Sequence, residues 1–202
     1  MPAKITDIIE VANFELIRDK IGEILALELA NQANLASDED FNATVYIERF
    51  TPPNYTECPM VNVVFTNVPY DYSDIEVQRG KITYYIDVYS QAVTSPTKRG
   101  DKTASLQLHK LIRAIRYILQ SVEYHTLGFD DGVVLNVDKV SNIQISEPQN
   151  TQDGNGIILG RLTVQILANE SVTEIEGRAF EGSDTSIDIE DKTGYKITVN
   201  NN

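Results

Sequence analysis

The stretch from Gly80 to Ala168 constrains the fold most strongly, because its periodicity changes from strand to helix and back to strand. Residues 81–90 alternate, as a strand with one buried face does, and the apolar face carries Ile82, Tyr84, Ile86 and Val88. Residues 101–124 place six aliphatic side chains within about 100° of a helix circumference. These are Leu108, Leu111, Ile112, Ile115, Leu119 and Val122. Alternation returns near 133–146 and 157–167, so the order predicts an α+β fold in which an antiparallel or mixed sheet carries helices on one face.

The N-terminal segment predicts a helix with apolar residues in two registers. One register holds Ile5, Ile8, Ile9, Ala12 and Leu16, and the other holds Phe14, Ile17, Ile21, Ile24 and Leu25. Such a pattern requires either a kink near Asn13 or burial on two sides. A polar connection at 31–40 follows.

Two further strands are predicted at 44–50 and 60–66. The segment between them contains Pro52 and Pro53, which have no N–H to donate to a strand ladder. Residues 67–79 show no period and predict an exposed loop. The complete order is therefore α-β-β-β-α-β-β.

The residues after Asn169 predict a separate arm. Strand-like segments at 186–190 and 195–199 flank Asp191-Lys192-Thr193-Gly194, which is typical of a hairpin turn. We therefore divide the chain into a domain at 1–168 and an acidic arm at 169–202 with a hairpin at 186–199. An isolated two-stranded hairpin is marginally stable in water, so the arm is expected to dock on another surface, such as a neighbouring subunit.

Composition narrows the class of protein. The chain has 202 residues, of which 42% are hydrophobic and 23% charged, as in an ordinary globular domain. No apolar run approaches the roughly 20 residues that a membrane span needs, and the N-terminus lacks the pattern of a signal peptide. The one cysteine, Cys58, cannot form an internal disulfide, which agrees with a reducing compartment. We therefore expect a protein of the cytoplasm in which it is made, with no membrane partner.

The formal net charge of −13 argues against tight binding of nucleic acid, because phosphate binding needs a basic surface. The second predicted helix reverses this sign locally on the face opposite its apolar stripe. The basic residues there are Lys102, Lys110, Arg113 and Arg116. Such a face is either solvated or a contact surface for an acidic region of a copy or partner.

Residues with catalytic chemistry are few. His109 and His125 stand sixteen residues apart, and Cys58 has no basic neighbour in the sequence to lower its pKa. Asp130, Asp131 and Asp153 lie beside glycines and offer oxygen ligands to a metal ion, but without the spacing of an EF-hand. The same dipeptides are common in hairpin turns. The turn interpretation is favoured, and the sequence predicts no cofactor.

Ten tyrosines and no tryptophan point to aromatic contact surfaces. Tyr85 and Tyr89 lie on the outward side of the strand at 81–90, and Tyr55, Tyr70 and Tyr72 lie in predicted loops. Tyrosine is also an ordinary half-buried strand residue.

The order of elements over 1–168, with its long proline-bearing loops, resembles the tail-terminator (tail-completion) proteins of long-tailed bacteriophages. The resemblance implies a non-catalytic virion protein that forms a ring, usually a hexamer, which caps the tail tube and joins it to the head connector. DNA would pass through the lumen without specific binding, as the acidic chain suggests.

The resemblance also assigns expected contacts. Lys102, Lys110, Arg113 and Arg116 would form one side of a subunit or connector interface, and the loop at 67–79 would contact the tail tube. The arm lies outside the resemblance and would clasp a neighbour or the sheath of a contractile tail. Two alternatives remain open at this point: another neck or baseplate component of a phage-like particle, and a small metal-assisted hydrolase.

Overall fold

The computed structural model describes residues 8–51, 53–71, 78–93, 100–136, 139–146, 149–150, 155–169, 184–190 and 194–200. The chain divides into two compact units, one of Val11–Ser171 and one of Met1–Glu10 with Val172–Asn202. The helices of the larger unit are α1 (Asn13–Ala36) and α2 (Gly100–Gln120). Its strands are β1 (Thr44–Ile47), β2 (Met60–Asn67), β3 (Tyr70–Asp71), β4 (Arg79–Val93), β5 (Val140–Ile145), β6 (Gln149–Asn150) and β7 (Asn155–Asn169).

The larger unit contains a mixed sheet in the order β1-β2-β4-β7-β5, and the short strands β3 and β6 pair with β4 and β7. β1 runs parallel to β2, whereas β2, β4, β7 and β5 are antiparallel to their neighbours. The long strands β4 and β7 pair along their whole length and form the centre. The predicted α+β class is confirmed.

Both helices pack on one face of the sheet, which we call the helix face. Alternate residues of the central strands point to it, so Ile82, Tyr84, Ile86 and Val88 of β4 have no exposed surface. α2 approaches closely over β7, because a Cβ atom at Gly160 would lie 2.5 Å from Ile112 Cδ1. The strand faces and the helix stripe that the sequence predicts therefore meet in one core.

The first helix differs from the prediction at both ends. α1 begins at Asn13, so residues 8–12 lie outside the helix, and Ile8 is 93% exposed. The helix needs neither a kink nor burial on two sides, because only one of the two apolar sets, the one that contains Ile17 and Ile21, is buried. The Glu15 carboxylate accepts a hydrogen bond from the Ala12 N–H and so caps the N-terminus of α1. The helix continues to Ala36, inside the connection predicted at 31–40, and ends where Ser37 adopts a φ of 50°.

Three other boundaries also change. α2 ends at Gln120, and a 3-10 turn at Val122–Tyr124 follows, so Val122 is 78% exposed rather than buried. The loop predicted at 67–79 contains β3, which pairs with the start of β4. The strand predicted at 133–146 is regular only as β5, although Val134 forms a bridge to Ala168.

The smaller unit contains the antiparallel hairpin of β8 (Asp184–Glu190) and β9 (Gly194–Asn200). Its register pairs Ile187 with Ile197 and Ile189 with Tyr195. In the described residues of both units, no helix is long and apolar enough to span a membrane.

Candidate interaction surfaces

The exposed side of α2 forms the first candidate surface, which we call the outer stripe. It consists of Lys102, Leu106, His109, Arg113, Arg116 and Tyr117, all exposed. Leu106 is 54% and Tyr117 72% exposed, so the stripe combines apolar, aromatic and basic side chains. It contains no carboxylate. Arginine and tyrosine side chains are enriched at protein contacts relative to the rest of a protein surface.

Two arginines of the outer stripe keep their charge available. The Arg116 Nε donates a hydrogen bond to the amide oxygen of Gln120 at 3.1 Å, which leaves its charge uncompensated. Among the residues that the structure describes, neither Arg113 nor Arg116 forms an ion pair. In a chain of net charge −13, these two side chains form a local reversal of charge sign.

Lys110 lies apart from the outer stripe, because it is paired within the chain. Its Nζ donates to Asp38 at 2.7 Å and to Asp40 at 2.5 Å. Hydrogen bonds to these two carboxylates raise the pKa of Lys110, and the hydrogen bond from Lys110 lowers the pKa of Asp38. The sequence prediction placed Lys110 at an intermolecular contact. The structure shows that it also holds the α1–β1 connection against α2, and its part in an intermolecular contact stays a prediction, as it does for Lys102, Arg113 and Arg116.

A shallow groove of about 720 Å³ borders the C-terminal part of the outer stripe. Arg113 and Tyr117 line one part of it, and Glu28, Phe41 and Tyr124 line another. The Tyr124 hydroxyl donates to Glu28 at 2.5 Å, and this hydrogen bond raises the pKa of Tyr124. The groove walls carry both charge signs, so the groove does not select an ion of one sign.

The second candidate surface is the outer face of the sheet, opposite the helices. The strand registers place Tyr46, Asn62, Asp87, Arg161 and Gln144 side by side across all five main strands. Arg161 donates from Nε and Nη2 to the two carboxylate oxygens of Asp87, at 2.6 and 2.8 Å. The Asp87 side chain is only 6% exposed. A carboxylate that is this well buried needs its ionic partner.

The predicted contact tyrosines on this face are less exposed than the alternation suggests. The Arg161 guanidinium lies 4.3 Å from the ring centroid of Tyr85 and covers part of it. Tyr89 is half-buried, and this burial, with the Asp87 charge beside it, raises its pKa. Tyr70 is half-buried in β3, and Tyr72 lies outside the described residues.

The connection between β1 and β2 covers part of the outer face, which sequence periodicity did not predict. The Arg49 N–H donates to the Asn62 side chain at 3.0 Å, and the Asn62 amide donates back to the Arg49 carbonyl at 2.8 Å. Arg49 also pairs with Glu57 at 2.8 Å, and its guanidinium stacks on Tyr46. The buried Asn62 was the available signal, since a polar residue in the middle of an apolar strand requires a hydrogen-bonding partner.

Residues considered for catalysis do not form a reactive group in the described part of the chain. Burial, with the neighbouring Glu57, raises the pKa of the Cys58 thiol to about 11, which keeps it protonated at neutral pH. Asp130 and Asp131 are exposed at a turn in which Gly132 has a φ of 96°, as the turn interpretation requires. No group of three or more potential metal ligands occurs among the described residues, and Asp153 lies outside them. His109 and His125 are both exposed.

Comparison with known proteins gave no match, either to a protein-family model or to a curated protein sequence.

Proposed function

We propose that this chain is a structural virion protein that assembles into a ring, caps the tail tube of a long-tailed phage and joins it to the head connector. The proposal combines the resemblance in element order with one observation, the outer stripe of α2. The stripe exposes Arg113 and Arg116 beside Leu106 and Tyr117 on a chain that is otherwise strongly acidic. Its partner is an acidic surface of the next copy, as a head-to-tail ring contact requires two different complementary surfaces.

The acidic regions of the chain are the natural counterpart. Residues 1–42 carry nine acidic and three basic side chains, and residues 169–202 carry eight and three. Complementary charge across such a contact fixes the register and favours the correct partner. A ring of this composition has an acidic character overall and leaves DNA free to pass through its lumen.

Charge reversal on the outer stripe tests the proposal. Arg113→Glu and Arg116→Glu are expected to abolish rings that the natural chain forms, measured by light scattering over a concentration series and by negative-stain imaging. Arg113→Lys with Arg116→Lys is the matched control, since it keeps a positive charge at both exposed positions of the outer stripe. The control is expected to leave assembly unchanged.

A second arm of the experiment adds preformed tail tubes. If the free protein is monomeric, we expect closed rings on tube ends with the natural chain and none with the Arg113→Glu, Arg116→Glu double variant. Assembly of the double variant at the level of the natural chain would refute the role of the outer stripe. Failure of the natural chain to bind tubes and to form rings would refute the proposed function itself.

A further inference from the structure

The strand β5 leaves one edge of the sheet open. In the described part of the chain β5 pairs with β7 alone, and its residues from Ser141 onward are exposed. Beyond the irregularity between Val140 and Asn142, its residues are regularly paired with β7 and include no charge and no proline. Natural edge strands usually carry such residues to prevent pairing with another chain. The absence of this protection in 142–145 favours a strand that accepts a partner.

The helix face beside this edge is also incompletely covered. The register places Ile143 opposite Leu162 and Ile145 opposite Gly160, so both isoleucines lie on the helix face. α2 covers Leu162 and Gly160, but Ile143 and Ile145 remain 39% and 47% exposed. An apolar margin therefore continues the core beyond the edge of α2.

The hairpin β8–β9 has the complementary pattern. Its register places Thr185, Ile187 and Ile189 on the same face as Val199, Ile197 and Tyr195. One face of this two-stranded sheet is therefore almost entirely apolar by sequence, and a hairpin of this kind requires a surface to pack against. The opposite face of β8 carries Asp184, Asp188 and Glu190.

Charge and chain length agree with a contact between copies. Residues 170–190 include seven acidic side chains and one basic, whereas the outer stripe of α2, the helix that flanks β5, is basic. Residues 170–183 separate the end of β7 from the hairpin, and a connection of this length spans up to about 45 Å. That reach is enough for the hairpin to extend to an adjacent protein of this size.

We infer that the hairpin of one copy adds to the free edge of β5 in the next copy. β9 lies against β5, because both strands are nearly uncharged, and the acidic β8 becomes the new, protected edge. The apolar face of the hairpin then continues the row formed by Ile143 and Ile145. Main-chain hydrogen bonds supply affinity and the isoleucines supply register, as in other strand additions. This inference rests on the proposed self-assembly and names the segment that makes it.

Disulfide cross-linking between two different variants tests this pairing. In a Cys58→Ser background, one variant carries Asn142→Cys or Gln144→Cys on β5, and the other carries Lys196→Cys or Thr198→Cys on β9. When the two variants are mixed and oxidised, at least one combination is expected to give a cross-linked dimer, because paired strands bring Cα atoms within disulfide range. The matched control places Thr44→Cys on β1, the opposite edge of the sheet, and is expected to give none.

The outcomes separate the two proposals. Rings without any cross-link between β5 and β9 would overturn the strand addition and leave the proposed function standing. A chain with both Gln144→Cys and Lys196→Cys that forms only an internal disulfide would show that the hairpin stays within its own copy, which also overturns it. Ile145→Lys supplies an independent readout: we expect loss of the cross-link and of the rings, with an unchanged unfolding midpoint for the monomer. Retained rings would contradict the inference.

Discussion

The two faces of the central sheet are buried by different means. On the helix face, two helices cover aliphatic side chains such as Ile86 and Leu162, which have no exposed surface. On the outer face, the neighbouring residue Asp87 is 4% exposed, but its cover consists of the Arg161 guanidinium and a row of polar side chains. Apolar packing depends on volume and shape and tolerates conservative changes. A buried ion pair depends on both partners, because loss of one leaves an uncompensated charge.

The largest effect is expected on the helix face. Ile86→Ala removes a fully buried side chain at the centre of β4 and should lower the free energy of unfolding by about 3–4 kcal/mol. Urea unfolding monitored by circular dichroism measures this change. Ile143→Ala on the edge strand β5 is the matched control, since that side chain is 39% exposed, and should cost less than about 1 kcal/mol. Equal losses would contradict the assignment of the core.

The outer face should show an asymmetric response to removal of either ion partner. Arg161→Met leaves the buried Asp87 carboxylate unpaired, so we expect a loss of about 3 kcal/mol in the free energy of unfolding. Asp87→Asn leaves a guanidinium that is 37% exposed and can be hydrated, with a loss of about 1–2 kcal/mol.

The double variant makes this comparison sharper. Asp87→Asn with Arg161→Met should cost clearly less than the sum of the single changes, because the buried charge is removed with its partner. Chemical denaturation of all four proteins under one condition measures the coupling. Additive losses would mean that the two side chains stabilise the sheet independently.

The contrast between the faces also explains what could be read from the sequence. Alternation in residues 81–90 correctly predicted the four buried positions of β4 on the helix face, because local periodicity determines which side chains share a face. The same alternation places Asp87 on the opposite face but does not predict that it is buried. Its ionic partner is Arg161, 74 residues away.

Other misses have the same non-local origin. The ion pair of Lys110 joins residues 70 and 72 positions apart, so neighbours in the sequence could not predict it. The parallel pairing of β1 with β2 leaves no mark on either strand's alternation. Val122 fits the helical stripe of α2, but the helix ends at Gln120 and Ser121 caps a new turn. Periodicity predicts faces, whereas ends and partners depend on tertiary contacts.

A smaller effect distinguishes the centre of the helix face from its margin. Gly160→Ala places a Cβ atom 2.5 Å from Ile112 Cδ1 in the packed interior and should cost about 2 kcal/mol through overpacking. Gly22→Ala also meets a side chain, Ile47, with its Cδ1 at 2.8 Å, but Ile47 is 39% exposed and can turn outward. The helix propensity of alanine adds about 1 kcal/mol in its favour, so the net change should be close to zero. Thermal unfolding of the two variants measures the difference, and a larger loss for Gly22→Ala would reverse this view of the packing.

The smallest effect concerns the ion pair of Lys110, in which both partners are partly exposed, whereas the Asp87 side chain in the pair with Arg161 is buried. Lys110 lowers the pKa of Asp38 below its ordinary value of 3.8, so the pair contributes stability above that value and loses it as the pH falls through the lowered folded pKa. The pKa of Lys110 is raised above 10.5, so at the alkaline end the contribution is lost only as the pH rises beyond that value.

Lys110→Met should therefore be slightly less stable than the natural chain at pH 7 and should lose less stability between pH 5 and pH 3, measured by urea midpoints. Asp87→Asn is the contrasting control: its deficit at pH 7 should exceed that of Lys110→Met, since the Asp87 side chain is only 6% exposed, whereas that of Lys110 is 33% exposed. A deficit of Lys110→Met that stays constant from pH 7 to pH 3 would contradict stabilisation by the charge pair with Asp38.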